Sequence, residues 1–212
     1  MKNRFLIALL LLTGTLSVST VSAADFTKFD GEKLISFPVD LDKWERHNKD
    51  LLKSKSLVWF KKALREEGRP FDDFYMINIY NQSANDLNHM RERYDKPGQK
   101  FCDSFKAIEL PADEQNYEYM SWRTECLKSN APEARIIHLL LLGKQHIYHI
   151  QKGWSGKVEQ TEIDEWVGRI KKIHLCDLNS TNAPCPADPL AQADSETEVP
   201  KTQTPATVAS NE

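Results

Sequence analysis

Residues 136–151 read IIHLLLLGKQHIYHIQ, two apolar-rich runs joined by Gly143-Lys144. No other stretch narrows the fold as far. Glycine at the first central position of a two-residue connection is the signature of a type II′ hairpin turn. With that turn the register follows: Leu140 faces Ile147, Leu139 faces Tyr148 and His138 faces His149. Because side chains alternate across a strand, one face carries Ile137, Leu139, Leu141, His146, Tyr148 and Ile150. The other carries Ile136, His138, Leu140, Leu142, Gln145, Ile147, His149 and Gln151. The first is the more apolar and is the expected core face.

The flanking sequence supplies more strands and two helices. Residues 34–39 form a short strand broken at Pro38, and 56–64 and 74–80 two strands joined by a polar loop holding Gly68 and Pro70. Residues 44–64 can also be drawn as one long helix; β-branched and aromatic enrichment favours the strand. A helix over 85–94 opens at Ser83 or Asn85 and closes before Pro97-Gly98. Strands over 105–110 and 117–126 flank Pro111-Ala112-Asp113. A last helix has Thr161 as its cap, Asp164 at the capping-box position, and Ile163, Trp166, Val167, Ile170 and Ile173 on one face. Lys171 and Lys172 suit its last turns, where the macrodipole favours cations. This order predicts an α+β domain, a mostly antiparallel sheet packed by helices.

The ends differ from the body. Lys2 and Arg4, an unbroken apolar run over 5–12 and small residues at Val21-Ser22-Ala23 read as a secretory signal peptide, residues 1–23, cleaved to leave Ala24. No other apolar run approaches the roughly 20 residues that cross a bilayer, so no transmembrane segment is expected after cleavage. The chain of 212 residues then holds one α+β domain over 24–178. In 177–212 six acids (Asp177, Asp188, Asp194, Glu196, Glu198, Glu212) oppose Lys201 alone, with Pro184, Pro186, Pro189, Pro200 and Pro205 and no aromatic residue. Such a segment cannot offset the entropy of ordering, so 179–212 is expected to be a Pro-rich acidic tail, disordered beyond about residue 187.

Export makes disulfides the default reading of Cys102, Cys126, Cys176 and Cys185. If strands 105–110 and 117–126 form a hairpin, Cys102 falls opposite Glu125, one residue from Cys126, and a bend at Asp103 absorbs the offset. That predicts Cys102–Cys126 and leaves Cys176 and Cys185 to close a small ring after the last helix. Two alternatives stay open: a Cys126–Cys176 bridge pinning that helix to the sheet, and Cys176 and Cys185 both unpaired.

The signatures of phosphate loops, dinucleotide folds, zincins, thiol redox enzymes and serine hydrolases are missing. Gly153-Trp154-Ser155-Gly156 reads as an ordinary turn after a strand. His146 and His149, an odd number apart, point to opposite faces, whereas His138 and His149 share a face with side-chain bases about 5 Å apart. With a third ligand that pair could hold Zn²⁺ or Cu²⁺, although no nearby acid or thiol presents itself, and the plainer reading is two imidazoles on a half-buried outer face. Lys43, Arg46, Lys49, Lys53, Lys55, Lys61, Lys62 and Arg65, near Trp44 and Trp59, form either a site for anionic polymer or lipid headgroups or a solvated face. Glu66-Glu67 and Asp72-Asp73 read as solvated loop acids. Export and a charge-balanced body argue against a nucleic-acid partner.

A wider pattern runs from Ser56 to Asp177: a Trp-bearing strand, "DDFYMINIYN", a helix and Cys102, "SWRTEC", Glu133, "LLLLGKQHIYHIQKGW", and a helix with Trp166 ending in "HLCD". It resembles exported proteins of Gram-negative bacteria whose fold is similar to the PsbP/Mog1 type, a sheet between helices. The resemblance implies binding or assembly work, a periplasmic or secreted location, and no particular catalytic residue. The expected function is therefore a non-enzymatic periplasmic factor, without a cofactor, that engages a protein or envelope component through one face of the sheet. The alternative is a metal-handling protein or enzyme using His138 and His149.

Overall fold

The computed structural model describes residues 28–29, 31–36, 39–51, 54–81, 86–111, 117–180 and 185. The expected signal segment, Lys53, and the tail beyond 180 apart from Cys185 lie outside them. Among the described residues, ten strands and three helices follow one another: β1 (Lys28–Phe29), β2 (Glu32–Ile35), β3 (Trp44–Leu51), β4 (Ser54–Lys61), α1 (Lys62–Glu66), β5 (Asp73–Asn81), α2 (Leu87–Phe101), β6 (Ser104–Glu109), β7 (Glu118–Lys128), β8 (Ala131–Leu142), β9 (His146–Ser155), α3 (Gln160–Ile170) and β10 (His174–Asp177). A 3₁₀ turn at Pro70–Asp72 precedes β5. Seven strands form one sheet in the order β3-β4-β5-β9-β8-β7-β6, and β1-β2-β10 form a smaller one. Every pairing is antiparallel. The class is α+β, as expected.

Both faces of the large sheet are covered, each over part of its width. Ile137, Leu139, Leu141, Tyr148 and Ile150, the expected core face, join Leu57, Trp59, Tyr75 and Ile77 beneath Ile163, Trp166 and Ile170 of α3 and Leu34 and Leu175 of the small sheet. On the reverse face α2 sets Leu87 and Met90 against Trp122, Leu140 and Ile147. Thus the side that looked half-solvated from sequence is a second core.

The β8–β9 register differs from the expected one. Leu142 pairs with Ile147, Leu140 with His149 and His138 with Gln151, so Lys144-Gln145 make the turn. Gly143 instead ends the ladder, its N–H donating to the His146 carbonyl over 2.8 Å. It is glycine because a Cβ would collide with the Glu32 carboxylate, which accepts from the Lys144 N–H at 2.7 Å. A slip of two residues moves partners without exchanging faces, so the face assignment survives.

Three further differences have physical reasons. The strand expected over 56–64 is β4, which gives way to α1 after Lys61, and residues 44–51 pair with it as β3 rather than joining it in one long helix. Helix α2 runs through Pro97 to Phe101. Pro97 is exposed, so the carbonyl it leaves unbonded can be solvated, and Gly98 gives room for the Phe105 ring. Asp86 caps this helix, accepting from the His89 N–H at 2.7 Å. Helix α3 begins after Glu159 rather than at Thr161, and Asp164 accepts from Gln160 instead of closing a capping box.

The cysteines pair as Cys102–Cys126 and Cys176–Cys185, with Cα separations of 5.5 and 5.7 Å. The first pairing matches the expectation although the register does not: Cys126 lies opposite Phe105. Cys102 reaches it because it caps the end of α2, so the bridge ties that helix to β7. Replacing Cys102 and Cys126 together by alanine should cost about 3–4 kcal/mol, against about 2–3 kcal/mol for the smaller ring. Denaturant titration of the two double variants checks the ranking, and a larger loss from the Cys176/Cys185 variant would reverse it.

Candidate functional site

Two polar centres are buried on opposite faces of the sheet. The first contains the histidines singled out in the sequence. His138 and His149 lie diagonally across β8 and β9, with Nδ1 of His138 3.1 Å from Nε2 of His149. The other nitrogen of His138 is 3.2 Å from the Thr124 hydroxyl. Trp122 stacks on His138 at 4.4 Å, and Tyr94 of α2 lies 4.1 Å from the His149 ring. The rings are only 2% and 0% exposed, so this is no half-buried outer face. Burial, and secondarily the Arg91 cation, pushes the His138 pKa down to about 3, and burial holds His149 well below its ordinary value. Both rings are therefore neutral at neutral pH. His146, as expected, belongs to the opposite face. Among the described residues, no group of three or more His, Cys, Asp or Glu is placed to hold a metal ion.

The second centre was not visible in the sequence. Lys152 on β9 is fully buried, its ammonium against the Asp73 carboxylate and within 4.1, 4.9 and 5.3 Å of the Trp154, Trp166 and Trp44 ring centres. Such geometry gains from cation–π attraction in a desolvated setting. Asp73 also takes the Lys61 ammonium on its second oxygen. Lys61 Nζ stands 3.7 Å from Glu162 of α3, which in turn accepts from the Trp154 indole N–H at 3.1 Å. Burial lowers the Lys152 pKa to about 8 although Asp73 opposes that shift, so the amine remains mostly charged at neutral pH. Asp73 is therefore not a solvated loop acid; it opens β5 and is 4% exposed.

Above this chain of charges lies a cleft of about 500 Å³ between the segment before β3 and helix α3. Asp40, Lys43, Trp44, Lys61, Glu162, Glu165, Trp166 and Arg169 are among its lining residues.

The basic segment does not stay together. The β3–β4 hairpin sends Arg46, Lys55 and Lys61 to the α3 side and Lys49 to the other. Lys43 pairs with Asp40, Lys61 with Asp73 and Arg65 with Glu45. Gly153 and Ser155 belong to β9, and Gly153 lies beneath the ring of its cross-strand partner Phe74.

One signal could have exposed the lysine centre. Lys152 continues the apolar alternation of Tyr148 and Ile150, a position where an unpaired charge would be costly. No protein-family model and no curated protein matches the sequence.

Proposed function

We propose that this is an exported, periplasmic binding or assembly factor of PsbP/Mog1-like architecture, engaging a protein partner through the uncovered part of its large sheet. The carrying observation is the asymmetric placement of α2. That helix packs on β6, β7 and β8, whereas the same face of β4 and β5 presents Val58, Phe60, Phe74 and Met76 only partly buried. Phe71, 65% exposed, stands edge-on to Phe60 and Phe74 at 5.2 and 6.1 Å. A contiguous exposed aromatic patch marks an interaction surface more strongly than scattered apolar residues do. Lys49, Lys62, Glu66 and Glu67 are exposed on the same hairpin and at α1, which favours a partner with an apolar centre and a rim of mixed charge. The helices on both sheet faces support the architecture, and the two disulfides support an oxidising compartment.

Cross-linking and purification of the tagged chain from its native envelope tests the reading. Phe71→Ser should weaken recovery of the partner about tenfold or more, as loss of an aromatic anchor does. Phe101→Ser, altering a side chain 61% exposed at the end of α2, should leave recovery unchanged. Equal recovery with both variants would remove the aromatic patch from consideration. Metal handling at His138 and His149 is the weaker reading, because each ring turns one nitrogen towards the other and His138 gives its second to Thr124.

A further inference from the structure

We propose that the cleft beside α3 binds a neutral, hydroxyl-rich ligand, a saccharide. It lies across the sheet from the aromatic docking patch, so neither proposal depends on the other. Its volume, about 500 Å³, falls within the range of small-ligand sites.

Three acids (Asp40, Glu162, Glu165) and three bases (Lys43, Lys61, Arg169) line the cleft, so the site is electroneutral. Each lip carries a closed pair, Lys43–Asp40 at 3.0 Å and Arg169–Glu165 at 2.6 Å. Both pairs already match each charge with its opposite, so neither lip presents an unmatched charge to draw in an ionic ligand. On the floor, Lys61 Nζ and Glu162 Oε1 stand 3.7 Å apart, a separation too long for a hydrogen bond. A single oxygen can sit about 2.8 Å from both, but only if it accepts from the ammonium and donates to the carboxylate. A hydroxyl does both through one atom. A peptide amide divides those roles between its nitrogen and its oxygen, so it cannot bridge the gap in this way. Trp44 and Trp166, each 7% exposed and with ring centres 6.1 Å apart, join Val39 as the apolar part of the lining that the C–H groups of a sugar ring would meet.

Both indoles sit at the cleft, so intrinsic fluorescence reports its occupancy. The full chain is titrated with maltotriose, cellotriose and triacetylchitotriose, and separately with acetate and tetramethylammonium as charged probes. At least one trisaccharide should give a saturable emission change, and the charged probes none. Glu162→Gln should weaken binding about tenfold through loss of one charge-assisted hydrogen bond. Lys61→Met, which removes the ammonium end of the bridge and leaves Asp73 paired with Lys152, provides a second variant with the same expected loss should the change at Glu162 disturb folding through Trp154. Glu159→Gln, outside the cleft, should bind as the parent does. No response to any of the three saccharides, a response to a charged probe instead, or undiminished binding in both cleft variants would each overturn the proposal.

Discussion

Replacing Asp73 by asparagine should destabilise the protein by about 3–5 kcal/mol at neutral pH, the cost of leaving a buried charge without its partner. Two ammonium groups share that carboxylate, and Lys152 has no route to water. Lys152→Met should cost much less. It removes the most deeply buried charge, leaves Asp73 still paired with half-exposed Lys61, and keeps an unbranched chain between the indoles. The sign of the pH dependence provides an independent check. Because the folded-state pKa of Lys152 lies near 8, below its ordinary 10.5, the unfolded chain holds the extra proton between those values. The burial penalty is therefore fully present below pH 8 and is relieved as the pH rises towards 10.5. In Asp73→Asn the penalty is larger, so raising the pH from 7 to 9 should recover part of the loss. Chemical denaturation of both variants at the two pH values decides the matter. Equal costs for Asp73→Asn and Lys152→Met would show that the carboxylate is not what keeps the lysine buried.

The fold was legible where periodicity alone decides, and illegible where tertiary partners do. Alternation along β8 and β9 fixed which residues share a face, and that assignment withstood a two-residue error in register because the side-chain period is two. The error came from Gly143, whose local turn chemistry suggested one role while its backbone makes room for Glu32 from the small sheet. No sequence window contains both residues. Strand β10 was hidden for a similar reason: "HLCD" is too short to show a period and acquires its conformation from pairing with β2. The lysine centre lay further out of reach, since its groups come from β3, β4, β5, β9 and α3. Asp73 sat beside Asp72 in a polar stretch and read as its equal, yet β5 turns one into the core and leaves the other at the edge. By contrast the histidine pair was found by a parity argument that needed only the hairpin, although its burial was not, because nothing local announced that α2 would cover that face.

That burial carries the second large effect, a steep loss of stability in mild acid. His138 titrates near pH 3 in the folded protein and His149 well below its ordinary 6.5, both chiefly because burial disfavours the charged ring. Below pH 6.5 the unfolded chain binds protons that the folded chain refuses, so stability falls as pH falls, down to about pH 3 for His138. A ring that stays neutral costs up to about 1.4 kcal/mol per pH unit once the unfolded imidazole is protonated, so His138 alone should cost about 2 kcal/mol between pH 6.5 and pH 5, and His149 adds to that loss in the same direction. The surroundings offer little relief. Arg91 of α2 adds a positive charge, Thr124 can satisfy one nitrogen only, and Asp95, the buried acid on the same helix, is already engaged by Trp122 and Arg91. The two rings also face each other at 3.1 Å, so a second proton would have to enter beside the first. Urea titrations from pH 7 to pH 5 measure the slope, and replacing His138 and His149 together by glutamine should flatten most of it. An unchanged slope in that double variant would assign the acid sensitivity to another part of the molecule and show that the buried rings accept protons in place.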